Sequence, residues 1–251
     1  MKLKKAFITF GLPAISVIAL ILFWAIAAEI AGSKYILPTP AETVAALGDL
    51  FASAGFYTAF FGTLLRTAIA FLISYTLAVC ITAASYKSAA ARNIFKPIIS
   101  VIRALPTIAV VLLLLVWTNS RVAPMIVTML VVFPTLYNNL YAALCGIDDE
   151  LTEMCASFNV PKGKTFKKVI FPQISSEFIS AAGAGLTLNL KLMVAAEVLS
   201  QTARSLGFML STSKAYFETA EMIALVLITV VTGLLVEGVF GVIAKKAGGV
   251  K

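Results

Sequence analysis

Apolar residues run almost unbroken through six stretches of the chain, 7–29, 60–84, 98–118, 122–145, 174–199 and 222–244. Each is long enough to cross the ~30 Å hydrocarbon core of a bilayer. In lipid every backbone N–H and C=O must be satisfied within its own segment or a closed sheet, so the runs predict six transmembrane α-helices. The breaks between them are polar. Residues 31–58 hold Gly32 and Pro38-Thr39-Pro40 ahead of a weakly amphipathic segment from Ala41 to Leu47, which suits a helix lying on the outer face.

The break at 148–172 has a pattern of its own. Leu151, Met154, Cys155 and Phe158 fall at i, i+3, i+4 and i+7, one stripe of a short helix. Asp148 or Asp149 can cap its start, with Glu150 and Glu153 near the positive end of the helix dipole. Asn159 tolerates a left-handed backbone and Pro161 stops the helix, giving a length of about three turns. Further on, Phe166, Val169 and Ile170 oppose Lys164, Lys167 and Lys168, and Pro172 is expected to close the segment. Two readings fit: a basic loop with an amphipathic turn, or a helix that docks into a groove of a soluble partner.

Composition and charge set this pattern in a membrane. Of 251 residues, 60% are hydrophobic and 13% charged, far from soluble proportions. With both termini inside, the inner ends and loops hold thirteen cations, Lys2, Lys4, Lys5, Lys87, Arg92, Lys96, Lys162, Lys164, Lys167, Lys168, Lys245, Lys246 and Lys251. The outer loops hold four, Lys34, Arg121, Arg204 and Lys214. This bias predicts cytoplasmic termini, and it accounts for the net charge of +8 without a nucleic-acid partner.

Polar residues inside the runs are the candidates for function. Arg66 sits near the outer end of the second run, where snorkelling to the interface is the simplest role. Pro97 and Pro106 bracket Arg103, and Pro124 and Pro134 precede Asn138 and Asn139, so the third and fourth helices should be kinked. The two asparagines suit either interhelical hydrogen bonds or a polar pathway. Ser180 to Gly185 is a small-residue patch that allows close helix approach, and beyond it come Asn189, Lys191 and Glu197. Lys191 and Glu197 lie six apart, on different helical faces, so each needs a partner on another helix, in water or in a substrate. Three unpaired cysteines and no histidine leave neither a disulfide framework nor a metal site. Gly163-Lys164-Thr165 lacks the first glycine of a phosphate-binding loop, Phe158 standing in that place. No catalytic constellation stands out.

Glu153-Met154-Cys155, then Asn159, then Phe171-Pro172 resembles the EAA motif of permease subunits of ABC importers, with Met154, Cys155 and Asn159 where Ala, Ala and Gly are usual. Leu37-Pro38-Thr39-Pro40, Arg103-Ala104-Leu105-Pro106, Leu115-Val116-Trp117, Val194-Ala195-Ala196-Glu197 and Leu206-Gly207 are similar, in order, to the nitrate/sulfonate/taurine-type branch. That branch often has Gly-Ile-Gly where this chain has Thr118-Asn119-Ser120. The resemblance implies an all-α permease of type I importer fold, one transmembrane domain over 1–251, in a bacterial inner membrane. It implies a second permease copy, cytoplasmic ATP-binding subunits that carry ATP and Mg, and an extracytoplasmic substrate-binding protein. The 148–172 loop becomes the coupling loop, with Leu151, Glu153, Met154, Cys155, Phe158 and Asn159 as ATPase-docking residues, and Asn138, Asn139, Asn189, Lys191 and Glu197 as candidates for the substrate pathway. The chain itself is then not an enzyme and holds no cofactor. A transporter or channel driven by an ion gradient, with Lys191 and Glu197 as coupling groups, is the alternative. A purely structural membrane scaffold would have less reason to keep charges inside its spans.

Overall fold

The computed structural model describes residues 11–248. Every regular element among them is helical: α1 Leu12–Ala31, α2 Pro40–Ala52, α3 Ala54–Lys87, α4 Ala89–Ala104, α5 Thr107–Trp117, α6 Ala123–Cys145, α7 Asp149–Ser157, α8 Lys162–Thr165, a π turn Phe166–Ile170, α9 Phe171–Ser200, α10 Leu206–Ala215 and α11 Thr219–Ala247. The first five residues, positions 7–10 of the first apolar run and Lys251 lie outside the described residues.

Four helical runs are long and apolar enough to cross a membrane: α3, α6, the continuous stretch Lys162–Ser200, and α11. They correspond to the second, fourth, fifth and sixth apolar runs. The third run is not one helix: α4 and α5 meet at 93° across Leu105-Pro106. Pro106 lacks an N–H and disfavours a helical backbone at Leu105, which sits at ψ 128°, so the chain breaks there instead of kinking. By contrast, Pro134 lies inside α6 without ending it. Pro172 does not close its segment either. The Phe171 N–H reaches back to the Phe166 carbonyl, a widened turn that gives a proline ring room, and the helix continues from α8 through the π turn into α9.

α9 is the centre of the bundle and packs against α11, α6 and α3. It supplies Leu190 and Val194 to a core with Leu50, Phe56, Leu206 and Leu225, and Ala181 and Ala182 to another with Phe71, Val132, Leu136 and Leu140. Ala196 joins a third with Val111 and Val127. The small-residue patch works as expected. A Cβ on Gly183 would lie 2.5 Å from Phe240 of α11, and one on Gly185 would lie 2.6 Å from Leu136 of α6.

Side-chain ties give the bundle two distinct ends. At one, Thr202 donates to the Ser120 carbonyl and Thr219 to the Tyr35 carbonyl. At the other, Ser175 donates to the Ala247 carbonyl, and Gln173 accepts from the Asp148 N–H. This second end carries α7 together with Lys87, Lys162, Lys164, Lys167, Lys168, Lys245 and Lys246.

Candidate functional site

α7 is two and a half turns long and both its caps follow from its sequence. The Asp148 carboxylate accepts from the N–H groups of Glu150 at 2.9 Å and Leu151 at 3.3 Å. At the far end Asn159 has φ 51°, its N–H donates to the Ala156 carbonyl, and the Val160 N–H donates to the Cys155 carbonyl. That paired closure is the Schellman arrangement, in which asparagine replaces the usual glycine. Leu151, Met154 and Phe158 are exposed, Phe158 at 77%, while Glu153 points into solvent beside them. Cys155 departs from the expected stripe: at 8% exposure it faces the chain's own interior, so the free apolar surface consists of Leu151, Met154 and Phe158. Phe158 itself lies at the C-cap, just beyond the helix.

The polar residues of α6 and α9 separate into two groups. Glu197 is fully buried and accepts from Arg66 Nε and Nη2 at 2.8 Å, from Thr63 Oγ1 at 2.8 Å and from the Gly207 N–H at 3.3 Å. Arg66 also donates to the Arg204 carbonyl, tying α3 to the loop after α9. The approach is close enough that a Cβ on Gly207 would lie 2.4 Å from Glu197 Cβ and 2.6 Å from the Val198 nitrogen. Asn189 is equally buried, with Nδ2 3.4 Å from the Thr67 carbonyl. Glu197 and Asn189, two of the residues expected along the substrate pathway, are therefore enclosed within the chain. They are turned into the α3–α9 contact, where one carboxylate collects four donor contacts. Arg66 does not snorkel but completes that cluster. Sequence spacing separated Lys191 from Glu197 but did not reveal Arg66 as the partner.

The second group is open. Asn138, Asn139 and Lys191 are exposed, and no acidic side chain among the described residues pairs with Lys191. Asn139 and Ala142 of α6, with Gly146 at its C-cap, face Gln173, Glu177 and Ser180 of α9 across a cleft of about 700 Å³ near the α7 end. Farther from that end Lys191 borders a separate groove of about 260 Å³ between α9, α10 and α11. Among the described residues, no group of His, Cys, Asp and Glu could hold a metal ion.

A family model described as "Binding-protein-dependent transport system inner membrane component" matches residues 76–248. The taurine transport system permease protein TauC of Escherichia coli (strain K12) is 22% identical over 226 residues, 88% of this chain and 82% of its own length. The formylaminopyrimidine transport permease protein ThiX of Halalkalibacterium halodurans is 23% identical over 183 residues, 72% of this chain and 71% of its own. In three dimensions the chain is similar to a subunit in the crystal structure of an amino acid ABC transporter with histidines, with a TM-score of 0.67 and 18% identity, covering 80% of this chain and 97% of that one. At that identity the likeness is one of fold.

Proposed function

The chain belongs to the family of binding-protein-dependent transport system inner membrane components, and from that premise we propose that it moves a small solute into the cell by coupling to ATP hydrolysed on a partner subunit. Two permease copies enclose the route, an extracytoplasmic binding protein delivers the solute, and cytoplasmic subunits carry ATP and Mg. The α7 end is cytoplasmic, because the cations concentrate there. Asn138, Asn139 and Lys191 belong to the wall of the route, while Asn189 and Glu197 hold the bundle together.

The observation that carries this reading is the free face of α7. Leu151, Met154 and Phe158 stay exposed on a helix whose two ends are fixed by Asp148 and Asn159, so the surface is preformed and unoccupied within the chain. Burying a Phe side chain is worth about 1.5–3 kcal/mol, and the face fits the helix-in-groove mode of association. Asp148 is joined through Gln173 to the start of α9, which gives movement at α7 a direct mechanical link to the central helix.

The test is co-purification of the ATP-binding subunit with the tagged chain. Phe158→Asp places a charge in the groove and is expected to weaken the complex by roughly a hundredfold or more, with the membrane helices still folded because Phe158 lies beyond them. Full retention of the ATP-binding subunit by the variant refutes the docking role.

A further inference from the structure

α4 has three faces. Ala91, Phe95, Ile99 and Ile102 turn inward and pack against α3 and α6, with Ile99 buried. Arg92, Lys96 and Arg103 recur at i, i+4 and i+11 and share one exposed stripe. Ile94, Ile98 and Val101, at i, i+4 and i+7, form an exposed apolar stripe nearly opposite the cations. Among the described residues neither outer face is matched. The one ion pair among them joins Arg66 to Glu197, so none of the three cations of α4 has a carboxylate partner. Arg92 donates to the Tyr141 hydroxyl at 3.2 Å, a neutral acceptor that leaves the charge uncompensated.

The depth of α4 follows from its neighbours. α5 ends at Trp117 beside the outer loop, and its 11 residues extend about 16 Å, roughly half of the hydrocarbon core. The inner half is left to α4, which starts beside Lys87 at the α7 end and runs at 93° to α5. Cα–Cβ bonds tilt toward the N-terminus of a helix, so Lys96 and Arg103 lean back toward Ser88 and the inner surface. Apolar side chains against the acyl region and cations at headgroup level are the arrangement of an interfacial helix.

We propose that α4 binds an anionic phospholipid of the inner leaflet, with the headgroup held between Arg92 and Lys96 and the acyl chains lying along Ile94, Ile98 and Val101. The inference concerns what surrounds the chain and holds whatever solute it carries. A phosphodiester supplies the missing negative charge and several acceptor oxygens, which suits a guanidinium beside an ammonium. A second copy set against the same stripe would bring like charges together and leave them uncompensated. Lipid bound here would brace the broken span just before its turn at Leu105-Pro106.

The test uses the full chain assembled with its ATP-binding subunits, its three native cysteines replaced by serine, in vesicles of phosphatidylcholine with a minor share of phosphatidylglycerol. A fluorophore is attached at Asn93→Cys, beside the cations, or at Val239→Cys, on the exposed apolar face of α11. Either lipid carries a spin label high on its acyl chain, and the readout is the ratio of quenching by labelled phosphatidylglycerol to quenching by labelled phosphatidylcholine. Each cation near an anionic headgroup is worth about fivefold in partition, so Arg92 and Lys96 together give about 25-fold. The ratio is expected to be raised by about that factor at Asn93→Cys and to stay near unity at Val239→Cys. Lys96→Gln, whose side chain has no other partner, should lower it about fivefold. Adding Arg92→Gln should bring it near unity, while Arg92→Lys should keep it raised. Equal quenching by the two lipids, or a preference that survives both glutamines, overturns the proposal. A preference removed by inorganic phosphate, but not by chloride at the same ionic strength, gives the stripe to free phosphate and overturns the lipid assignment. Quenching by neither lipid at Asn93→Cys, with Ile98→Cys cross-linking to an ATP-binding subunit or a second copy, makes the face a protein interface and overturns it as well.

Discussion

Removing Arg66 should damage the bundle more than neutralising Glu197, although the two form one ion pair. Glu197 has no exposure and Arg66 retains 15% at its side chain. Arg66→Met leaves a buried carboxylate facing only the Thr63 hydroxyl and the Gly207 N–H. Stranding a buried charge in this way costs about 3–5 kcal/mol. Glu197→Gln leaves the charge that can still reach solvent and the Arg204 carbonyl, and replaces a charged acceptor with a neutral one, a loss of about 1–2 kcal/mol. For a chain of this length about 1 kcal/mol shifts the midpoint by roughly 2–4 °C. Arg66→Met should then fall by about 10 °C and Glu197→Gln by about 4 °C. The double change Arg66→Met with Glu197→Leu should lose less than the sum of the single losses, since no charge is left buried. The measurement is the fraction of detergent-solubilised protein that remains monodisperse after heating. Equal losses for the two single variants, or a larger loss for Glu197→Gln, would refute the reasoning.

Two further outcomes are expected. A membrane-impermeant thiol reagent applied to intact cells should label Lys34→Cys and leave Lys164→Cys untouched, since both positions are exposed and lie at opposite ends of the bundle; the opposite pattern would invert the topology. Gly207→Ala should reduce the yield of folded chain sharply, because its Cβ would press on the Val198 nitrogen and the Val194 carbonyl, at 2.6 and 2.7 Å, and backbone atoms cannot rotate away. Wild-type yield in membranes would show that α10 is free to shift.

The parts of the structure that depend on near neighbours in the chain were legible in the sequence. The caps of α7 are an Asp two residues before its first satisfied N–H and an Asn at its left-handed exit, and both can be found by spacing. Close helix packing at Gly183 and Gly185 was likewise visible in the run of small residues. The orientation of the α9 polar residues was not. Asn189, Lys191 and Glu197 are all costly in lipid, and which of them is enclosed depends on three neighbouring helices from distant parts of the chain. A usable signal existed in the open stripe: Glu177, Ser180, Ala184, Lys191 and Ala195 recur at helical spacing and separate Lys191 from the other two. The right-angle break between α4 and α5 also exceeded what a proline inside an apolar run implies. Arg92, Lys96 and Arg103 make α4 amphipathic, and its exposed Ile94, Ile98 and Val101 lie on another face. α10 was missed because a ten-residue helix in a polar connection has little periodicity, although Ser205, which caps it by accepting from the Phe208 N–H, marked its start.

The unbroken run from Lys162 to Ser200 has a consequence in simple leverage. Thirty-nine residues of helix extend about 58 Å, more than the bilayer core is thick, so one end stands outside the lipid while the other lies beside the Arg66 cluster. If such a rod pivots near its midpoint, a tilt of about 5° carries each end through about 2.5 Å in opposite directions. Its widest turn, at Phe166–Ile170, carries Lys167 and Lys168 and is where such a rod yields most easily. A stiffer turn there, with Pro172 replaced by Ala, would deliver more of each stroke from α7 to the far end.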